Sequence, residues 1–166
     1  MFYRPGHEDH GLPHNPFKAI VAPRPIGWIS TLGPDGSANL APYSFFNGVA
    51  DDPPMVMYST TGAKIGRAPG EDEYTLAGLT KGTPNVIKAP FVAEAPASLE
   101  CKLFKEIELP GGAVMVLGEV VGVHIQDAHI IDGILDVTTY QPMARLGYRD
   151  YAAVSETFSL NRPGQK

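Results

Sequence analysis

The sequence predicts a mainly β chain, an antiparallel barrel or sandwich with only a few short helices. Short apolar, β-branched runs recur between Gly- and Pro-rich turns, the pattern of many strands joined tightly. Strands do not alternate with long helical patterns, and no G-x-G-x-x-G stretch opens a helix, so a parallel dinucleotide-binding sheet is not expected. The 18 glycines and 16 prolines are scattered rather than gathered in a linker. With 166 residues, 43% hydrophobic and 19% charged, the chain is expected to form one domain spanning 1–166.

The elements follow in order. Residues 1–16, rich in His, Pro and Gly, read as an irregular N-terminal arm lying on the surface or on a partner chain. The first strand covers 26–32, set off by Pro25, and ends at the turn Gly33-Pro34-Asp35-Gly36. The chain resumes over 37–46, so 26–46 reads as a β-hairpin. Asp52-Pro53-Pro54 stops the next connection, and 55–61 is a buried strand ending in hydroxyl residues. Between 62 and 96 proline recurs without periodicity, and only 74–79 has the makings of a helical turn.

Order returns over 98–109, where Leu99, Cys101, Leu103, Ile107 and Leu109 alternate with Glu100, Lys102, Lys105, Glu106 and Glu108. That period of two predicts a strand with one wet face and with Cys101 on the apolar side. Pro110-Gly111-Gly112 turns it into a long strand over 113–126, with Gly118 and Gly122 where a small barrel would bend. Residues 136–145 read as a short helix and 151–160 as a last alternating strand.

Charge and cysteine content narrow the function classes. A net charge of -5 without basic runs gives no phosphate-tracking surface, so no nucleic-acid partner is expected. The single cysteine, Cys101, cannot form an internal disulfide. No apolar run reaches membrane-spanning length and the N-terminus lacks a signal-peptide core, so a cytoplasmic location away from membranes is the expectation.

Three groups of residues could carry chemistry. Over 39–47 (NLAPYSFFN), Pro42 cannot donate to a ladder, which would leave backbone groups open to a planar heterocycle beside Tyr43, Ser44, Phe45, Phe46 and Asn47. The same residue types also suit an aromatic core strand with a proline bulge, and taken alone they favour it. Ser30-Thr31 and Ser59-Thr60-Thr61 end apolar strands, and with Arg24 and Lys64 they could hold a phosphate or simply cap turns. His7, Glu8, Asp9, His10 and His14 match no metal-ligand spacing, so no metal site is expected. His124 reads as a hydrogen-bonded structural histidine, and no nucleophilic triad can be placed.

The runs 21–31 (VAPRPIGWIST), 39–47 (NLAPYSFFN) and Asp52-Pro53-Pro54, followed by 118–124 (GEVVGVH), Ala144-Arg145-Leu146-Gly147, Tyr151 and Phe158-Ser159-Leu160, together resemble the flavin reductase-like family of FMN-binding split β-barrels. The resemblance covers nearly the whole chain, and its N-terminal motif is the specific part. It implies an antiparallel split barrel with a few short helices that binds FMN and works as a homodimer. It implies a flavin ring resting against 39–47, faced by Ala41, Pro42, Tyr43 and Ser44 and flanked by Asn39 and Asn47. Ser59, Thr60 and Lys64 would lie towards the ribityl phosphate, with Ser30 and Thr31 completing the cofactor-binding set.

The activity implied is an NAD(P)H-dependent flavin reductase, in which the flavin carries the chemistry and no side chain is assigned as catalytic. An FMN-dependent electron-transfer protein serving an acceptor protein, or a flavin-storage module without turnover, share the fold and stay open. One departure stands out. In similar proteins the lysine at the place of Lys64 opens a helix followed by another strand, whereas here it runs directly into Ile65-Gly66-Arg67-Ala68-Pro69-Gly70. Either that segment is deleted or the sequence closes over an omission. Omission is the preferred reading, because losing a barrel strand would expose two unpaired edges.

Overall fold

The structure is a computed structural model that describes residues 1–60, 72–161 and 164. The predicted hairpin forms as β2 (Gly27–Leu32) and β3 (Ala38–Tyr43), paired in register from Gly27–Tyr43 to Leu32–Ala38. Asp35 closes the turn by accepting from the Ser37 backbone N–H (3.0 Å) and hydroxyl (2.6 Å). Ahead of it lie the one-turn helix α1 (Phe17–Ile20) and the short β1 (Arg24–Pro25). After it come β4 (Phe46–Asp51) and β5 (Pro54–Ser59).

Residues 72–92 hold α2 (Glu73–Ala77), β6 (Lys81–Gly82) and β7 (Phe91–Val92). Asp72 caps α2 by accepting from the Tyr74 N–H, and Gly78 ends it in the left-handed region at φ 67. This is the expected helical turn. The long hairpin β8 (Ala97–Leu109) and β9 (Ala113–Ile125) follows, then β10 (Ile130–Ile131), β11 (Ile134–Leu135), β12 (Met143–Arg145) and β13 (Tyr151–Ala153). Every pairing is antiparallel, in the orders β4-β5-β9-β8, β1-β12-β13, β2-β3, β6-β7 and β10-β11. The mainly β, antiparallel expectation holds. No helix among the described residues is long and apolar enough to cross a membrane.

The buried core is small. Ala38 and Leu40 of β3 pack with Tyr74 of α2 and Val92 of β7, and Tyr74, only 1% exposed, donates its hydroxyl to the Pro90 carbonyl at 3.1 Å. The accessible surface is 12093 Å², against about 8,000 Å² for a compact monomer of this size.

Four local expectations are corrected. Residues 136–145 are not a helix: Asp136 caps a single 3₁₀ turn at Val137–Thr139, and the chain then enters β12. The last strand stops at Ala153, because β13 has β12 as a partner only through residue 153. The strand over 37–46 breaks at Ser44–Phe45, and β4, which no sequence signal marked, begins immediately after. Finally, the faces of β8 are not those the alternation predicts. Leu99 and Leu103 are 44% and 65% exposed while Glu100 is 2% exposed. Register shifts put one bulge in β9 at Val121 and one in β8 at Phe104, which resets the faces of the β8 residues after it. Glu100 precedes both and is buried because it accepts from the backbone amides of Asn85, Val86 and Ile87.

Candidate flavin site

The β4–β5 ribbon has a concavity on each face. Met57 of β5 lines one, and its neighbours Val56 and Tyr58 line the other, as strand alternation requires. Phe46 borders both.

The smaller pocket holds about 390 Å³, within the ~300–1,000 Å³ usual for small-molecule sites. Pro23, Arg24 and Pro25 form one wall, and the Ser44–Phe45 bend another. Four consecutive residues of β4, Phe46 to Val49, also line it. A strand face can offer only every second residue, so the pocket runs along the edge of β4. That edge is open, since β4 pairs only with β5 among the described residues. A bulge between Gly48 and Ala50 further removes Val49 from the ladder. The site thus combines apolar walls with a row of backbone donors and acceptors. A Cβ at Gly48 would meet nothing within 4 Å, so the edge is open to approach there.

Arg24 builds this wall rather than a phosphate grip. It is 6% exposed, and its guanidinium donates to the carbonyls of Lys18 and Val21 and, at 2.6 Å, to that of Leu146. It lies 5.8 Å from the Phe45 ring centre, with the Lys18 ammonium 6.0 Å from the same ring, so the pocket wall carries positive charge.

The larger groove, about 980 Å³, lies between β2 and β8, with Val56, Tyr58, Val116 and Gly118 among the lining residues from the intervening sheet. One of its walls is held by Glu100. That carboxylate accepts from the backbone N–H groups of Asn85, Val86 and Ile87 at 2.7, 2.7 and 2.8 Å and contacts His124 Nε2 at 2.6 Å. Burial pushes its pKa up, but the backbone amides and the His124 ring outweigh that and hold it down at about 2. The His124 ring in turn stacks on Phe91 at 4.3 Å, so the expected structural histidine is found. Tyr58 has its pKa raised by burial first, then by the nearby Tyr43 and Glu106.

The sequence-expected residues do not converge on one cavity. Ser44 and Asn47 line the smaller pocket, where Asn47 Oδ1 accepts from the Gly48 N–H at 2.9 Å. Ser30 and Thr31 line the larger groove. Asn39 is tied to α2 by donating to Glu73 Oε1 at 3.0 Å. Ala41, Pro42 and Tyr43 sit in the hairpin ladder opposite Ile29, Trp28 and Gly27, and line neither concavity. The Tyr43 ring packs on Tyr58 at 4.8 Å.

At the end of β5, the Ser59 hydroxyl donates to the Thr60 carbonyl at 3.1 Å, while Thr60 Oγ1 accepts from the Val114 N–H at 3.0 Å. Both side chains serve the strand end. Lys64 lies outside the described residues. Gly48, Val49 and Met57 went unmarked in the sequence, because a bulged edge strand with an internal glycine carries no clean periodicity, whereas Phe46 was part of the marked segment and does line the pocket. Glu100 went unmarked because it sat on the face that alternation made wet.

The model of the flavin reductase-like domain matches residues 60–133. An uncharacterized protein of Aquifex aeolicus is 34% identical over 170 residues, covering 80% of this chain and 85% of that protein. Among solved structures, nitrilotriacetate monooxygenase component B from Bacillus cereus superposes with a TM-score of 0.85 at 25% identity, covering 96% of this chain and 98% of that one. The 2-nitrobenzoate 2-nitroreductase of Pseudomonas fluorescens superposes with a TM-score of 0.77 at 26% identity, covering 89% of each. With its antiparallel split-barrel fold and these matches, the chain belongs to the flavin reductase-like family, which ties it to flavin-linked oxidoreduction.

Proposed function

We propose that this protein is an FMN-dependent oxidoreductase, working as a homodimer, that takes its electrons from NADH or NADPH. The observation that carries the reading is the smaller pocket, where an apolar cleft meets an open, bulged strand edge. A flavin ring needs both: apolar surface for its benzenoid part, and alternating backbone donors and acceptors for its pyrimidine edge. In this reading Pro23, Pro25 and Met57 exclude water from the ring, the backbone of Phe46 to Val49 orients its polar edge, and Ser44 and Asn47 supply the nearest side-chain hydrogen bonds. Arg24 holds the Pro23–Pro25 wall in place through its three carbonyls.

A bound flavin supplies the hydride and electron transfer itself, so no side chain of this chain acts as a general acid or base. Ser59, Thr60 and Lys64 remain our assignment for the phosphate end, Asn39, Ala41, Pro42 and Tyr43 become supports behind the ring segment, and Ser30 and Thr31, which line the larger groove, stand away from the ring in this reading. The homodimer is supported by the excess of surface: 12093 Å² against about 8,000 Å² leaves an amount that a large obligate interface would cover.

The test is to purify the protein with FMN and follow NADH and NADPH consumption under air. Turnover well above that of free FMN is expected. Tight flavin binding without nicotinamide oxidation would make the protein a carrier or storage module instead. Failure to quench FMN fluorescence would remove the flavin reading altogether.

A further inference from the structure

We propose that Arg24 stabilises the reduced flavin over the oxidised one and so raises the cofactor's reduction potential. The inference deepens the flavin reading above and rests on it.

Arg24 is a buried cation without a counter-charge. It is 6% exposed, and its guanidinium donates only to the carbonyls of Lys18, Val21 and Leu146. Among the described residues no carboxylate pairs with it, and its Nε has no hydrogen-bond partner. Carbonyl dipoles satisfy N–H groups but leave the net charge in place. A buried charge in that state is costly unless an anion comes to it.

The surroundings carry the same sign. Among the described residues, Arg24 is the one charged side chain lining the smaller pocket. From α1, Lys18 lies 6.0 Å from the Phe45 ring, which Arg24 approaches at 5.8 Å. From β12 comes Arg145, the register partner of Arg24, with its guanidinium 4.4 Å from the Tyr151 ring. The loop after β12 carries Arg149 and Asp150, both exposed and neither lining the pocket. β5 contributes Met57, and the acidic end of β4, Asp51, lies beyond the lining stretch.

Such a field acts on a charge that the flavin acquires only on reduction. A dihydronicotinamide gives up two electrons and one proton as a hydride and leaves as the oxidised nicotinamide. The neutral ring thereby becomes a singly charged anion, with the added charge spread over its pyrimidine half. In the flavin reading that half meets the backbone of Phe46 to Val49, in the pocket that Arg24 lines. Fixed positive charge in a dry wall stabilises the anion and does little for the neutral ring. A residue that merely braced the Pro23–Pro25 wall would serve both forms alike.

The experiment measures Kd for oxidised FMN and, anaerobically with dithionite, for reduced FMN. It compares the natural chain with Arg24→Gln and Arg24→Lys. Arg24→Gln keeps a donor and loses the charge. Its preference for reduced over oxidised FMN should fall at least about tenfold, or about 30 mV in the two-electron potential. Arg24→Lys keeps the charge without the planar fork, so both affinities should fall together and the preference stay within about threefold. Equal losses in both redox states for Arg24→Gln would overturn the proposal, as would an equally large loss of preference in Arg24→Lys. The natural chain gives a second reading, the potential of bound FMN followed against pH beside free FMN. A bound ring held as the anion takes up one proton per electron pair, about 30 mV per pH unit. That slope should persist further into acid than it does for free FMN, which there takes up two protons. A change of slope at the same pH in both would also overturn the proposal. All of these outcomes leave the flavin reading standing, whereas a natural chain that binds FMN in neither state would sink both.

Discussion

The two concavities share Phe46 and the β5 strand, yet their borders make them different objects. The smaller one is edged by a single open strand, β4, whose ladder is interrupted by a bulge at Val49. The larger lies between β2 and β8, each paired on one side only among the described residues, with an apolar lining between them. One exposed edge beside an apolar cleft suits a flat heterocycle that hydrogen-bonds along one side only. Volume alone would choose the larger cavity as the ligand site, whereas our proposal takes the smaller one, where an apolar cleft meets the bulged edge of β4. The lesson is that main-chain hydrogen bonds left unmade say more about an occupant than the space available.

Separate perturbation of the two walls sharpens this contrast. Glu100→Ala strips the groove wall of an acceptor shared by three backbone amides and His124. We expect a fall in Tm on the order of 10 °C or more, with flavin affinity nearly unchanged in the fraction that stays folded. Arg24→Ala strips the pocket wall. Three carbonyls lose a charged donor, at a cost of about 2 kcal/mol, or roughly 4–8 °C in Tm. Flavin affinity should fall with it, because the Pro23–Pro25 wall loosens. If Glu100→Ala weakened flavin binding more than Arg24→Ala does, the assignment of the two cavities would be reversed.

The smallest effect is a matter of pH. Glu100 has its carboxyl held at about 2 in the folded chain, below its ordinary value of 4.5. Its ionised form therefore contributes stability that is complete above about pH 4.5 and lost as the pH falls towards 2. Asp72, Glu94 and Asp136 are also lowered, each by hydrogen bonds to the carboxylate, with Lys81, Thr80 and Thr138 respectively as the largest cause, and add to the same slope. Denaturation midpoints measured across that window should flatten in Glu100→Gln but keep a residual slope.

The sequence made the fold legible where its periodicity was clean. The hairpin over 26–46 and the long pair over 98–126 needed only alternation and turn residues, whereas the discontinuity after Lys64, read as an omission from the sequence, falls outside the described residues. Local signals failed at bulges and at one buried carboxylate. Glu100 is drawn inward by the backbone amides of 85–87, which no alternation announces, the bulge at Phe104 breaks the period of β8, and the bulge in β4 hid a strand that borders the candidate site. The flavin segment was legible as a segment but not as a surface. Ser44 and Asn47 reach the pocket, while Ala41 to Tyr43 stay in the ladder, because the chain breaks at the Ser44–Phe45 bend rather than at Pro42. β3 tolerates Pro42 because it has only one paired side among the described residues.

The central claim is that the flavin ring lies along β4 and not in the groove. The most direct measurement is FMN fluorescence quenching with two matched variants, Ser44→Trp in the smaller pocket and Thr31→Trp in the larger groove. Ser44→Trp should weaken FMN binding at least about 100-fold, or about 2.7 kcal/mol, with the fold intact by circular dichroism. Thr31→Trp should leave the affinity within about twofold. An unaltered Kd in Ser44→Trp with a lost one in Thr31→Trp would contradict the account.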